Sequence, residues 1–179
     1  IIVNYLVNNK NKLKINSNDI LNGDVFIALQ GTETHGNDYV TQAIKKGARY
    51  IITDKKINLL HKEKNILLVE DTLFFLLTIA NKKRNIFRGK IIGITGSVGK
   101  TSIKENLKLF LSSEFNVSAS IKSYNNYLGV LISLINMDRN SIFSIFEVGT
   151  NNSNEIKKLA SLILPHQVII SNICPTHLQ

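Results

Sequence analysis

The chain has 179 residues, 44% of them hydrophobic, with a single cysteine, Cys174. That is enough apolar material for one medium or two small domains with real cores, and it excludes disorder, an intramolecular disulfide framework and a cysteine zinc cage. The net charge of +9 comes mainly from lysine, 18 of the 22 basic residues, scattered among Asn and Ile without an aromatic stripe; we expect a solvated basic surface and no nucleic-acid partner.

The longest uninterrupted apolar runs, such as residues 73–77, are far shorter than the roughly 20 residues that span a bilayer, and no signal-peptide pattern opens the chain. We therefore expect a cytoplasmic protein without membrane insertion. The chain starts at Ile1 and stops at "ICPTHLQ" directly after a strand-like run, so a fragment of a longer protein is expected.

The first assigned run is "DVFIAL", a strand over 24–29, followed by a helix over 37–47 and a strand over 50–53. A strand over 65–70 and a helix over 71–85 complete a small α/β domain. Asn37 or Asp71 is placed to cap the helix that follows it, and Gly47 stands where a C-terminal cap glycine belongs. The charged segment "NKKRNIFRGK" (81–90) marks a boundary, giving domains of 1–85 and 86–179.

From there the pattern predicts a buried strand over 90–95 and a helix over 101–113, with Ile103, Leu107, Phe110 and Leu111 on its apolar side. Strand 116–120, helix 127–137, strand 141–149, helix 154–163 and strand 167–172 follow. Alternating helices and continuous apolar strands predict an α/β fold with parallel sheets, whose ligands bind at the carboxyl ends of the strands.

"GITGSVGKTS" (93–102) lies between the strand over 90–95 and the helix after it. Its G-x-x-G-K-T spacing departs from the common G-x-x-x-x-G-K-[ST] phosphate loop, and a chance glycine-rich turn is the alternative reading. Strand, loop, Lys-Thr and helix in that order nevertheless suit a phosphate cradle. Glycines let backbone N–H groups approach phosphate oxygens, and the helix start adds partial positive charge. Lys100 would reach the β and γ phosphates of ATP, and Thr101 would offer its hydroxyl to Mg²⁺.

A phosphate-loop enzyme needs an acid near the metal. Glu147 closes an apolar strand where such a carboxylate belongs, although a charge that merely marks a strand end would stand there equally well. His177, after the last strand, has a similar address, whereas His61 and His166 read as surface residues.

Four segments in order resemble the Mur ligase family, the ATP-dependent amide-forming enzymes of peptidoglycan synthesis. "TGSVGKT" (95–101) is similar to that family's T-G-[ST]-x-G-K-T loop, which accounts for the short glycine spacing. "SYNNYLGVLISL" (123–134), "FEVGTNNSNEIKKL" (146–159) and "SNICPTHL" (171–178) are similar to its S-x-N-N-x-x-G, E-x-G and N-I-x-x-x-H-L elements. Within the family, the two-asparagine element and "NGDVFIALQGTETHGNDYVTQAIKKGA" (22–48) look most like the members that join D-alanyl-D-alanine to a UDP-N-acetylmuramoyl tripeptide.

The resemblance implies an N-terminal domain that binds the UDP substrate and the first part of a central ATPase domain. It implies that Gly96, Ser97, Gly99, Lys100 and Thr101 hold ATP, and that Thr101, Glu147 and His177 hold Mg²⁺. It further implies that Asn125 and Asn126 line the nucleotide and substrate cleft, that Ser17 contacts substrate, and that the full-length enzyme is a monomer. The adenine-contacting segment and the domain receiving the amino-acid substrate would lie beyond Gln179, so little turnover is expected from residues 1–179 alone.

Three departures stand out. The family's D-S-R reads "NSN" (16–18), with Asn18 in place of arginine, and its D-G-H reads "HGN" (35–37), so that His35 is not simply to be equated with the family histidine. Cys174 stands where a small residue is usual and is expected to be a packed thiol rather than a nucleophile. Another Mur-type or folate-type ligase, or a phosphate-loop module without ligase chemistry, is the alternative.

Overall fold

The structure is a computed structural model that describes residues 1–57, 65–121, 124–149 and 154–174. The chain divides into two compact units, Ile1–Ile79 and Ala80–Gln179. The division falls inside a helix, α3 (Thr72–Ile86), a few residues before the boundary expected from the charged segment.

The first unit holds α1 (Ile2–Asn8), β1 (Leu13–Lys14), β2 (Val25–Ala28), α2 (Val40–Lys45), β3 (Tyr50–Thr53) and β4 (Ile66–Leu68). Its four strands form a parallel sheet in the order β1-β2-β3-β4. Every residue of β2 is buried, as a strand covered on both faces requires. Phe26 and Ala28 pack with Ile20, Val40, Ala43 and Ile51 into one core.

Residues 1–23, which carry no assigned element, contain α1 and the two-residue β1. The expected helix over 37–47 is split. A 3₁₀ turn over Gly36–Tyr39 leads into α2, and Gly47, just past the end of α2, takes φ +89°. The cap of that turn is His35, whose Nδ1 accepts from the Asn37 N–H at 3.0 Å, so Asn37 is not the capping residue. Asp71 does cap α3, its Oδ1 accepting from the Phe74 N–H at 2.7 Å.

The second unit contains β5 (Lys90–Thr95), α4 (Lys100–Leu111), β6 (Val117–Ala119), α5 (Tyr127–Asn136), β7 (Phe143–Glu147), α6 (Glu155–Ile163) and β8 (Gln167–Ile170). The sheet is parallel in the order β6-β7-β5-β8. Successive residues of β5 point to opposite faces. Ile92 and Ile94 meet Ile103, Leu107 and Leu111 of α4, while Gly93 faces Ile163 and Pro165 at the end of α6. Helices α4 and α6 therefore cover opposite faces of the central strand.

Phe110 is a correction, since it is 75% exposed rather than part of the α4 core face. At about 100° per residue it sits roughly 60° from Leu107, on the side away from Leu111, beyond the edge of the stripe that meets the sheet. The end of α6 is fixed from α3: Arg84 donates from Nε to Ile163 O at 2.6 Å and from Nη2 to Leu164 O at 2.8 Å. A cation thus satisfies carbonyls that the helix end leaves open. Among the described residues no helix is long and apolar enough to cross a membrane.

Candidate functional site

Pairing of β5 with β7 and β8 sets Ile94 opposite Glu147 and Thr95 opposite Ile170. The segments that leave these three strands consequently emerge at one edge of the sheet, where an open parallel sheet binds its ligands. The loop after β5 is anchored from the segment after β8. Asn172 accepts at Oδ1 from the Ser97 N–H at 3.1 Å and from the Val98 N–H at 3.0 Å. Its backbone oxygen accepts from Ser97 N–H at 3.1 Å. Ser97 Oγ completes the clasp, donating to Cys174 O at 2.9 Å and accepting from its N–H at 3.0 Å.

Gly96 has φ +133°, and a Cβ there would collide with Ser171 Oγ and with the backbone of Asn172. Glycine is required for the loop to lie this close to the segment after β8. Gly99 precedes α4 with φ +83°, no side chain caps the helix, and the space where a Cβ would stand is open. The first amides of α4 are thus left for an outside acceptor, which is the chemistry of an anion site. Lys100 folds back over the loop, its Nζ donating to Gly96 O at 2.6 Å and Ser97 O at 3.1 Å.

Beneath this loop lies Glu147, only 2% exposed at the end of β7. Thr101 Oγ1 donates to its Oε2 at 2.8 Å, and Asn125 Nδ2 donates to its Oε1 at 3.0 Å. Lys104 Nζ stands 3.7 Å from Oε2 and 3.2 Å from Glu105 Oε1, and Lys104 is completely buried. The approach of Asn125 depends on Gly149, where a Cβ would come within 2.8 Å of the asparagine Cγ. Hydroxyl and carboxylate oxygens side by side suit a hard divalent cation such as Mg²⁺. Among the described residues there is no cluster of three His, Cys, Asp or Glu able to hold a metal.

Models of the Mur ligase middle domain and of the Mur ligase family catalytic domain match residues 94–179 and 11–84. The chain belongs to the Mur ligase family. A UDP-N-acetylmuramoyl-tripeptide–D-alanyl-D-alanine ligase of Rickettsia prowazekii is 44% identical over 171 residues, covering 96% of this chain and 38% of that protein. The enzyme of the same name from Synechocystis is 34% identical, covering 94% of this chain and 37% of that protein. Among solved structures, MurF ligase from Thermotoga maritima in complex with ADP superposes with a TM-score of 0.76 at 28% identity, covering 97% of this chain and 40% of that one. MurF from Acinetobacter baumannii also gives 0.76 at 28%, covering 94% and 36%. The chain spans less than half the length of these relatives.

Against this family background the expected site residues divide. Gly96, Ser97, Gly99, Lys100, Thr101, Asn125 and Glu147 meet at one edge of the second unit's sheet. Asn126 lies beside them but uses its Oδ1 to cap α5, accepting from the Gly129 N–H at 2.8 Å. His177 lies outside the described residues, as does His61. Ser17 belongs to the first unit, is 4% exposed, and donates its hydroxyl to Gln42 Oε1 at 2.7 Å. Cys174 is exposed, contrary to the expectation of a packed thiol, because Ser97 holds its backbone and not its side chain.

Sequence reasoning missed Lys104 and Asn172. Lys104 carried a readable sign, a lysine among Ile103, Leu107 and Leu111 on the stripe that faces the sheet. His166 is on the surface, as expected, yet its Nδ1 accepts from the Ile91 N–H at 2.9 Å. Desolvation, with Lys90 and Arg84 nearby, holds its pKa below the ordinary histidine value. In the first unit, His35 Nε2 lies 3.1 Å from Asp54 Oδ1, and Asp54 Oδ2 accepts from Thr72 Oγ1 at 3.1 Å.

Proposed function

We propose that this chain is the N-terminal and middle part of an ATP-dependent amide ligase of peptidoglycan precursor synthesis. In this reading the enzyme joins D-alanyl-D-alanine to a UDP-N-acetylmuramoyl tripeptide through an acyl phosphate. The observation that carries the reading is the convergence of Thr101 and Asn125 on Glu147 beside the uncapped start of α4. The names of the relatives, at 44% and 34% identity, support this choice of substrates. Residues 1–85 then serve as the UDP-substrate domain and residues 86–179 as the first part of the ATPase domain of a cytoplasmic, monomeric enzyme.

The work of this chain's residues follows from their placement. The amides at the start of α4 and of the loop receive phosphate oxygens of ATP. Lys100 exchanges its bonds to Gly96 O and Ser97 O for phosphate oxygens, so its charge arrives where negative charge builds up. Thr101 and Glu147, with His177, would hold Mg²⁺, which when bound offsets the repulsion between the triphosphate and the attacking carboxylate. Asn125 keeps the Glu147 carboxylate oriented, and Ser17 lies in the domain that would bind the UDP substrate. No covalent nucleophile is required of this segment.

The test is ADP release by the full-length protein and by its Lys100→Ala variant. Wild type should release ADP only with a UDP-N-acetylmuramoyl tripeptide, and make amide only when D-alanyl-D-alanine is added. Lys100→Ala should lose at least about a hundredfold in rate. Unchanged turnover in the variant removes the loop assignment, and ADP release indifferent to the muramoyl peptide removes the ligase.

A further inference from the structure

A lysine with no exposed surface beneath a phosphate loop is an unusual expense of charge, because an ammonium out of water is tolerated only when paired. Lys104 is paired with the one carboxylate that matters most for the site. Its Nζ is 3.7 Å from Glu147 Oε2, the same oxygen that accepts from Thr101 Oγ1. It lies one turn after Thr101 on α4, a helix that packs on β7, and has no exposed surface. Glu105, which faces the ammonium at 3.2 Å, is half exposed and screened by water, whereas Glu147 is a buried carboxylate 3.7 Å away, where the charges are screened least.

We propose that Lys104 is the standing counter-ion of Glu147. It holds the carboxylate neutralised and oriented before nucleotide arrives, and thereby makes divalent-cation binding at Thr101 and Glu147 depend on the charge of the nucleotide's phosphates. The reasoning is electrostatic. With Lys104 in place, the pair Lys104 and Glu147 sums to zero, and a free divalent cation meets a carboxylate whose charge is already compensated. A cation that arrives with a nucleoside di- or triphosphate brings its own negative charge, which both it and Lys104 attract at a low local dielectric. Lys104 is therefore a positioning residue that acts through Glu147. The inference rests on the site assignment made under the proposed function.

Direction separates this role from a merely structural one. If Lys104 only props up the fold, its loss should disorder Glu147 and weaken every metal complex. If it is a competing charge, its loss should strengthen binding of the bare cation. The measurement is Mn²⁺ binding to the full-length protein, read by the electron paramagnetic resonance of the free ion, with and without ADP, each titration corrected by one with ADP and no protein so that Mn²⁺ chelated by free ADP is subtracted. Wild type should bind Mn²⁺ alone at least a hundredfold more weakly than with saturating ADP. Lys104→Gln, which keeps a polar head without charge, should bind Mn²⁺ alone at least tenfold tighter than wild type, yet bind Mn²⁺ with ADP no tighter. Lys104→Arg should remain within about threefold of wild type for Mn²⁺ alone. Equal or weaker binding of bare Mn²⁺ by Lys104→Gln overturns the proposal, as does wild-type binding of bare Mn²⁺ that rivals binding with ADP. The wild-type comparison stands even if Lys104→Gln does not fold. Failure of wild type to bind Mn²⁺ under any condition, ADP included, removes the site assignment and this inference with it.

Discussion

Lys83 on α3 gives a quantitative test of how the second unit handles buried charge. The residue has no exposed surface, and burial pulls its pKa down to about 8, with Asp138 partly countering the shift and Arg139 adding to it. An unfolded lysine titrates near 10.5. The folded pKa lies below the unfolded one, so between the two values the unfolded chain binds more protons and stability rises with pH. Below pH 8 both states carry the charge and the folded state bears the whole desolvation penalty. Above about 10.5 neither carries it. At about 1.4 kcal/mol per tenfold change in proton affinity the gap amounts to roughly 3 kcal/mol, most of which should be recovered between pH 7 and pH 10. The perturbation is Lys83→Met, of similar length and without charge, and the assay is urea unfolding of both proteins at intervals across that range. Absolute stability at one pH mixes in the bonds that Lys83 makes, so the informative quantity is the difference between wild type and variant as a function of pH. Wild type should gain about 2–3 kcal/mol relative to Lys83→Met between pH 7 and pH 10. Parallel curves, or a variant that gains on wild type as pH rises, would refute the reasoning.

Gly96→Ala forces a side chain into φ +133° and against Ser171 and Asn172, so a loss of about 1–3 kcal/mol of stability is expected in urea unfolding; a neutral result would show that the loop can move off the segment after β8. Asn172→Ala removes the side-chain acceptor of the Ser97 and Val98 amides while leaving the backbone bond to Ser97. Its stability should fall by about 1–3 kcal/mol, and ADP affinity, measured by calorimetry, should drop about tenfold because the loop is no longer held in shape; unchanged ADP affinity would mean that nucleotide alone orders the loop.

The strands and helices of the second unit were readable because β5 and β7 are continuous apolar runs and α5 is buried along nearly its whole length. What pattern reading overestimated was the ends. Val148 and Ser171 still donate to Ile94 O and Thr95 O of β5, but one residue later the backbone turns away, Gly149 N–H donating to Asn125 O and Asn172 accepting from the loop after β5, so the runs end sooner than their sequence suggests. The opening of the first unit was not readable. A two-residue strand such as β1 has no period to detect, and it exists only because Leu13 and Lys14 pair with Val25 and Phe26. The split before α2 was also hidden, since a histidine ring accepting from a backbone N–H acts as a cap although histidine is not a residue one expects there.

The site was half legible for a related reason. Gly96, Lys100 and Thr101 fall within one six-residue segment between a strand and a helix, so the sequence already places them together, whereas Glu147 acquires meaning only from what surrounds it. A carboxylate at a strand end is ambiguous in sequence; one that is 2% exposed and accepts from a threonine and an asparagine is not. Burial of that charge creates a demand for a cation, and the parallel pairing that sets Ile94 opposite Glu147 restricts the supply to elements crossing that end of the sheet. Helix α4 begins there, and its sheet-facing stripe contains a lysine where the periodicity calls for an apolar residue. Taken singly, the misplaced lysine and the strand-end glutamate are each a small violation of a folding rule. Taken together they cancel, 3.7 Å apart, and such a paired violation is the form in which a functional site can be read from local inconsistency.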